Sequence, residues 1–152
     1  MDILSSLGLL PSLPLLFFLS FLAATVLPMG SEWLLVIMIA QGFSPKETVI
    51  VASIGNYLGS CTTFFIGRYG SDFIVEKILR IGDTQLARAK RFYARYGAWS
   101  LLASWFPIIG DALCLLAGIF TLNLLRFSIL VFLGKFSRYA TVAYLAHSAL
   151  IG

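Results

Sequence analysis

Pro28-Met29-Gly30-Ser31-Glu32 cuts an apolar run that starts at Leu13 and resumes at Trp33. Proline removes a backbone donor, glycine relaxes the chain, and a carboxylate is costly in a lipid-facing helix. The segment therefore breaks its helix. It leaves arms of roughly ten to fifteen residues, short of the ~20 that cross the hydrocarbon. Pro107-Ile108-Ile109-Gly110-Asp111 repeats the interruption inside the apolar stretch Trp99–Phe120. Arms this short suit a re-entrant hairpin, whose broken backbone must be surrounded by protein or by a water-filled cavity. Pro28, Gly30, Pro107 and Gly110 mark the expected hairpin tips.

Each interrupted stretch is followed by one long enough to span a bilayer: Val49–Gly67 after the first, Leu124–Ile151 after the second. A shift of 79 positions superposes Pro28 on Pro107, Glu32 on Asp111, Gly55 on Gly134, Asn56 on Lys135 and Gly59 on Arg138. Hairpin, loop and long helix thus occur twice. A single crossing between the copies makes the second inverted, and paired broken helices in inverted repeats point to a transporter site near the midplane. The expected fold is an all-α integral membrane protein in one domain, 1–152. Repeat 1 covers about 13–67, a linker 68–97, and repeat 2 about 98–151. Nothing in residues 1–13 decides whether they span, lie on or leave the membrane, and they lack the basic start of a cleaved signal peptide.

Composition agrees. Hydrophobic residues make up 59% of the 152 and charged residues 12%, about half the charged share of a soluble domain. Mean hydropathy is +0.92. The net charge of +4 is concentrated: seven of eleven basic residues lie between Arg68 and Arg95. A basic loop between apolar spans is the positive-inside signature, so the 68–97 loop is expected in the cytoplasm, and nucleic acid is not an expected partner. Its second part, from an N-cap at Asp83 to Gly97, reads as an amphipathic helix with Leu86, Ala89, Tyr93 and Tyr96 on one face. Arg88, Arg91 and Arg95 form the neighbouring stripe. With Arg68 they are expected to meet anionic headgroups at the interface.

Four ionisable side chains stand inside the apolar segments: Glu32, Asp111, Lys135 and Arg138. An Asp, Lys or Arg at the centre of a spanning helix costs about 2.5–3.5 kcal/mol, so such residues face a partner or an aqueous cavity. If the tips approach from opposite sides, Glu32 and Asp111 meet at depth and resist ionising together, which permits proton exchange. Lys135 and Arg138 share one helix face. One is expected to neutralise a carboxylate while the other donates to a phosphate. Asn56 sits in Gly55-x-x-x-Gly59, a close-packing pattern first and a cavity-lining position second. Cys61 and Cys114 read as buried small hydrophobes, and His147 as interfacial. No nucleophile, metal cluster or phosphate loop accompanies these residues, so neither an enzyme nor a cofactor is expected.

Leu27-Pro28-x-Gly30-Ser31-Glu32, Gly55-Asn56-x-Leu58-Gly59, Gly67-Arg68-Tyr69-Gly70 and Arg95-Tyr96-Gly97 together resemble the DedA, or VTT-domain, membrane proteins. Ser104–Asp111, Leu115–Gly118 and Gly134–Tyr139 resemble that family's short YqaA-type branch. The resemblance spans roughly residues 20–145. It implies two facing re-entrant hairpins, an amphipathic cytoplasmic helix, and lipid scrambling or polyprenyl-phosphate recycling tied to the proton gradient. One departure stands out. Larger relatives carry Arg-x-x-Pro-x-x-Arg around the second hairpin, and those arginine positions here are Ser104 and Gly110. The expected function is a lipid translocator of the bacterial inner membrane, with membrane lipids (anionic or phosphate-bearing) and protons as partners and self-association left open. The alternatives are a proton-coupled carrier of a small solute or ion, which needs a cavity sealed from acyl chains, and a non-transporting membrane component.

Overall fold

The computed structural model describes residues 11–25, 30–70, 82–106 and 109–152. Pro28, Pro107 and the first part of the linker, 71–81, lie outside the described residues. Every regular element among those described is helical: α1 Leu13–Ala23, α2 Glu32–Ala40, α3 Pro45–Tyr69, α4 Asp83–Tyr96, a 3-10 helix Gly97–Trp105, α5 Ile109–Ile119 and α6 Leu124–Ile151.

Length separates two classes. At 1.5 Å per residue, α3 with 25 residues and α6 with 28 reach about 37 and 42 Å, beyond a ~30 Å hydrocarbon layer. The three short helices α1, α2 and α5 have 11, 9 and 11 residues, about half that depth. The long helices start where capping dictates. Pro45 opens α3 in the first turn, where its missing N–H costs nothing, and Asn123 Oδ1 accepts from Leu125 N–H at 2.8 Å to open α6.

The long helices lie antiparallel, and each end of the pair carries its own apolar cluster. At the Tyr69/Leu124 end, Phe64 of α3 and Phe127 of α6 pack with ring centroids 4.5 Å apart, together with α5, Leu101 and Ala89. At the Pro45/Ile151 end, Val49 and Ala52 meet Tyr139 and Ala143 together with Leu16 of α1 and four residues of α2. The shorter helices therefore divide between the two ends of one helix pair, α1 and α2 in one cluster, the 3-10 helix and α5 in the other.

Two glycine contacts let the short helices sit directly on α3. A Cβ on Gly59 would strike the Phe21 carbonyl oxygen of α1, and one on Gly118 of α5 would strike that of Phe64. The packing reading of Gly55-x-x-x-Gly59 holds, with Gly55 equally close to Phe17.

The 3-10 helix follows a three-residue period in its burial. Leu101 and Ser104 point inward, while Trp99, Leu102 and Trp105 are exposed. Side chains three apart eclipse in this geometry, so Leu101 and Ser104 fall on the inner side and Trp99, Leu102 and Trp105 on the outer. The expected α-helical first arm of repeat 2 is thus a 3-10 arm. Three other readings are also corrected. Gly110 lies in the first turn of α5 rather than at a break. The N-cap of α4 is Gly82, whose N–H donates to Gln85 Oε1 at 3.0 Å, with Asp83 as the first helical residue. On α4 Ala89 is buried and Leu86 and Tyr93 half-buried, but Tyr96 is exposed, because α4 ends there and Gly97, at φ +61°, turns the chain away.

Candidate functional site

Between the two apolar clusters runs a polar layer. On α3 it comprises Ser53, Asn56, Ser60 and Thr63, all buried, spaced so that they share a face between Ala52 and Phe64. On α6 it comprises Lys135 and Arg138, between Val131 of one cluster and Tyr139 of the other. These positions fall near the middle of each long helix, which places the layer at mid-depth of any bilayer the pair crosses.

The short helices deliver the carboxylates. Lys135 Nζ donates to Asp111 Oδ1 of α5 at 3.0 Å. Arg138, three residues on, is ion-paired with Glu32, the first residue of α2. The Lys135 side chain is only 2% exposed while Asp111 is 24% exposed, and Arg138 and Glu32 are 15% and 21% exposed. The lysine thus depends wholly on its carboxylate, and the carboxylates are the groups that other species can reach. Gly30 belongs to this arrangement: the Glu32 carboxylate folds back over it into the space a Cβ would occupy.

Two expectations change here. Glu32 and Asp111 each have a base as ion-pair partner, so the expected sharing of charge between two carboxylates becomes two carboxylate–base pairs. Lys135 and Arg138 are both engaged, so neither is left free for a phosphate. The physical reason is desolvation: a base left without a counterion at this depth costs several kcal/mol. Asn56 takes the packing role. Its Nδ2 donates to the Ser20 carbonyl of α1 at 3.0 Å, tying the short helix to the long one. Asn56→Ala should lower stability by about 1 kcal/mol, the net worth of one such bond, read as a lower melting midpoint in detergent.

Sequence reasoning missed a hydroxyl chain. The Ser31 hydroxyl lies 2.8 Å from both Ser20 Oγ and Tyr139 Oη, linking α1, the start of α2 and α6 beside the Arg138–Glu32 pair. Its only sequence signal is adjacency: Ser31 precedes Glu32 and Tyr139 follows Arg138. Ser104 and Gly110, on either side of the proline of the second interruption, pack closely. A Cβ on Gly110 would lie 2.5 Å from the Ser104 carbonyl oxygen, and one on Gly134 2.5 Å from Ser104 Oγ. Small residues let Ser104 and α5 pack closely with α6, and an arginine at Gly110 has no room.

A groove of about 390 Å³ along α6 is lined by Leu102, Trp105, Leu133, Gly134, Ser137 and Thr141, and two of its wall residues, Gly134 and Ser137, directly precede Lys135 and Arg138 in the chain. Five of the six are exposed, so it opens sideways from the bundle. Arg68, Arg88, Arg91 and Arg95 are exposed, with the Arg68 and Arg95 guanidinium carbons 5.6 and 5.5 Å from the Tyr69 and Tyr96 ring centroids. Cys114 is buried, Cys61 half-buried, and His147 exposed.

The VTT domain model matches residues 10–148. The inner membrane protein YqaA of Escherichia coli K12 is 42% identical over 129 residues, covering 84% of this chain and 86% of that protein. The protein of that name from Shigella flexneri matches equally. An uncharacterized protein of Haemophilus influenzae is 36% identical over 143 residues, 89% of this chain and 87% of its own. No solved structure matches.

Proposed function

We propose a function from one premise: the chain belongs to the VTT-domain, DedA-type family of membrane proteins, and its relatives are inner membrane proteins. It is a translocator of lipids with a phosphate in the headgroup. The short helices form two re-entrant hairpins of an inverted repeat, with the 68–97 loop on the cytoplasmic side. Consistent with the repeat, α3 and α6 begin 79 positions apart, as do Glu32 and Asp111.

The observation that carries the reading is a mid-depth pair of bases, each held by a carboxylate, next to a groove that opens sideways. A lateral groove admits a headgroup while the acyl tails stay in lipid, whereas a solute carrier needs walls on that side. A phosphate offers Lys135 and Arg138 the same oxygens that the carboxylates offer now. To take its place a carboxylate must give up its base. In apolar surroundings it then holds a proton, since a bare buried carboxylate is costly. Phosphate entry and proton uptake are thereby coupled, and phosphate departure restores the ion pair and releases the proton.

Glu32→Gln and Asp111→Asn keep side-chain shape and remove the exchangeable proton. Each amide still offers its base an acceptor oxygen, so both variants should fold, Asp111→Asn with a lower unfolding midpoint than the parent because Lys135 loses its counterion, and both should lose headgroup translocation in reconstituted vesicles. Parental rates in both would refute the mechanism.

A further inference from the structure

A second groove lies between the start of α3 and the final third of α6, at the end of the bundle opposite the basic helix α4. It encloses about 370 Å³ and is walled by Val49, Ile50, Phe136, Ala140, Ala143 and Tyr144. Pro45 and the exposed Lys46 and His147 complete its lining. It is separate from the ion-pair layer and shares no residue with the groove beside Trp105.

We propose that this groove is a lipid site that holds one acyl chain of an anionic phospholipid, with the phosphate at Lys46. The walls are carbon almost throughout and are narrowed only by two alanines, a shape that takes a flexible chain. The volume is at the lower end of ligand clefts, too small for a folded segment. Lys46 stands in the first turn of α3, where the helix N-terminus adds its own partial positive charge. A long helix that ends near a membrane surface with this charge presents it at headgroup depth. Glu47, next along, is exposed but does not line the groove. Charge also decides against a second copy of this chain as the occupant. Lys46 is the one charged residue of the lining, and a twofold contact centred on that end of the groove would set one lysine against the other. The site goes beyond translocation and would exist in a chain that moved nothing.

The test uses the purified full chain and native mass spectrometry, with phosphatidylglycerol and phosphatidylcholine of matched chains. The parent should retain phosphatidylglycerol preferentially. Lys46→Gln should cut that preference about fivefold, the effect of one basic residue at an anionic surface, and leave phosphatidylcholine unchanged. Ala140→Phe, which fills the groove, should reduce retention of both lipids. Ile50→Trp fills it from the exposed wall and gives the same reading should Ala140→Phe fail to fold. An unchanged preference in Lys46→Gln overturns the proposal, as does unchanged retention in a folded groove-filling variant. A groove-filling variant that turns a dimer into a monomer without lipid loss overturns it too and names a second copy as the occupant. Vesicle translocation by Lys46→Gln is measured alongside: headgroup transport with the lipid preference lost separates this site from the ion-pair layer.

Discussion

Asp111→Leu alone should destabilise the protein by about 3–5 kcal/mol, and adding Lys135→Met should return most of that loss. Lys135 is 2% exposed and its one ion-pair partner among the described residues is Asp111. Removing the carboxylate leaves an ammonium group buried between two apolar clusters without its counterion. Removing both charges leaves two apolar side chains that fit their surroundings. The change is read as the unfolding midpoint in detergent for the two single variants and the double. Lys135→Met alone should cost less than Asp111→Leu, because the orphaned carboxylate is 24% exposed whereas the orphaned lysine is 2% exposed. A single Asp111→Leu variant that unfolds at the parental midpoint would mean that the pair holds nothing together. The double variant also separates two functions. If the charges only fix helix packing, the folded double variant keeps its phenotype. If they carry a phosphate, it folds and transports nothing.

Gly118→Val should cost about 3 kcal/mol or more and prevent accumulation of a monodisperse protein, at the upper end of overpacking effects. The atom that a side chain at 118 would meet is the Phe64 carbonyl oxygen, part of the α3 helix ladder. A flexible side chain could step aside; this oxygen cannot move without bending α3. Gly118→Ala should show the same defect in smaller measure, by size-exclusion profile and midpoint. Equal stability for all three residues at 118 would show that α5 does not rest on α3 at Phe64.

How much of this was legible beforehand depends on the residue. The two long helices were readable because span length is set by an unbroken apolar run, and their bounds match the expectation closely: Leu124–Ile151 in full, Val49–Gly67 inside Pro45–Tyr69. The basic amphipathic helix was readable from spacing, and its end from one glycine. The 3-10 arm was not, because Gly97–Trp105 is apolar on both its faces and a three-residue period leaves no charge pattern in such a stretch. Gly110 was misplaced for a related reason. Glycine relaxes a chain, but here it serves close packing against Ser104 inside a helix.

The site divides the same way. That Glu32, Asp111, Lys135 and Arg138 stand within apolar segments was plain from the sequence, since the cost of a lone charge there demands a partner whatever the fold. Which partner each one takes was a tertiary decision. Lys135 and Arg138 lie three apart on one helix, and either could have met either carboxylate. The packing of α5 at one end of that helix and α2 at the other assigned Asp111 to the lysine and Glu32 to the arginine. The chain's order alone determined that it enters a membrane with charges at depth, because hydropathy is a local property summed along the run. Only the folded arrangement decided that those charges form two pairs beside an open groove, because pairing depends on distances between segments that the order of residues does not contain.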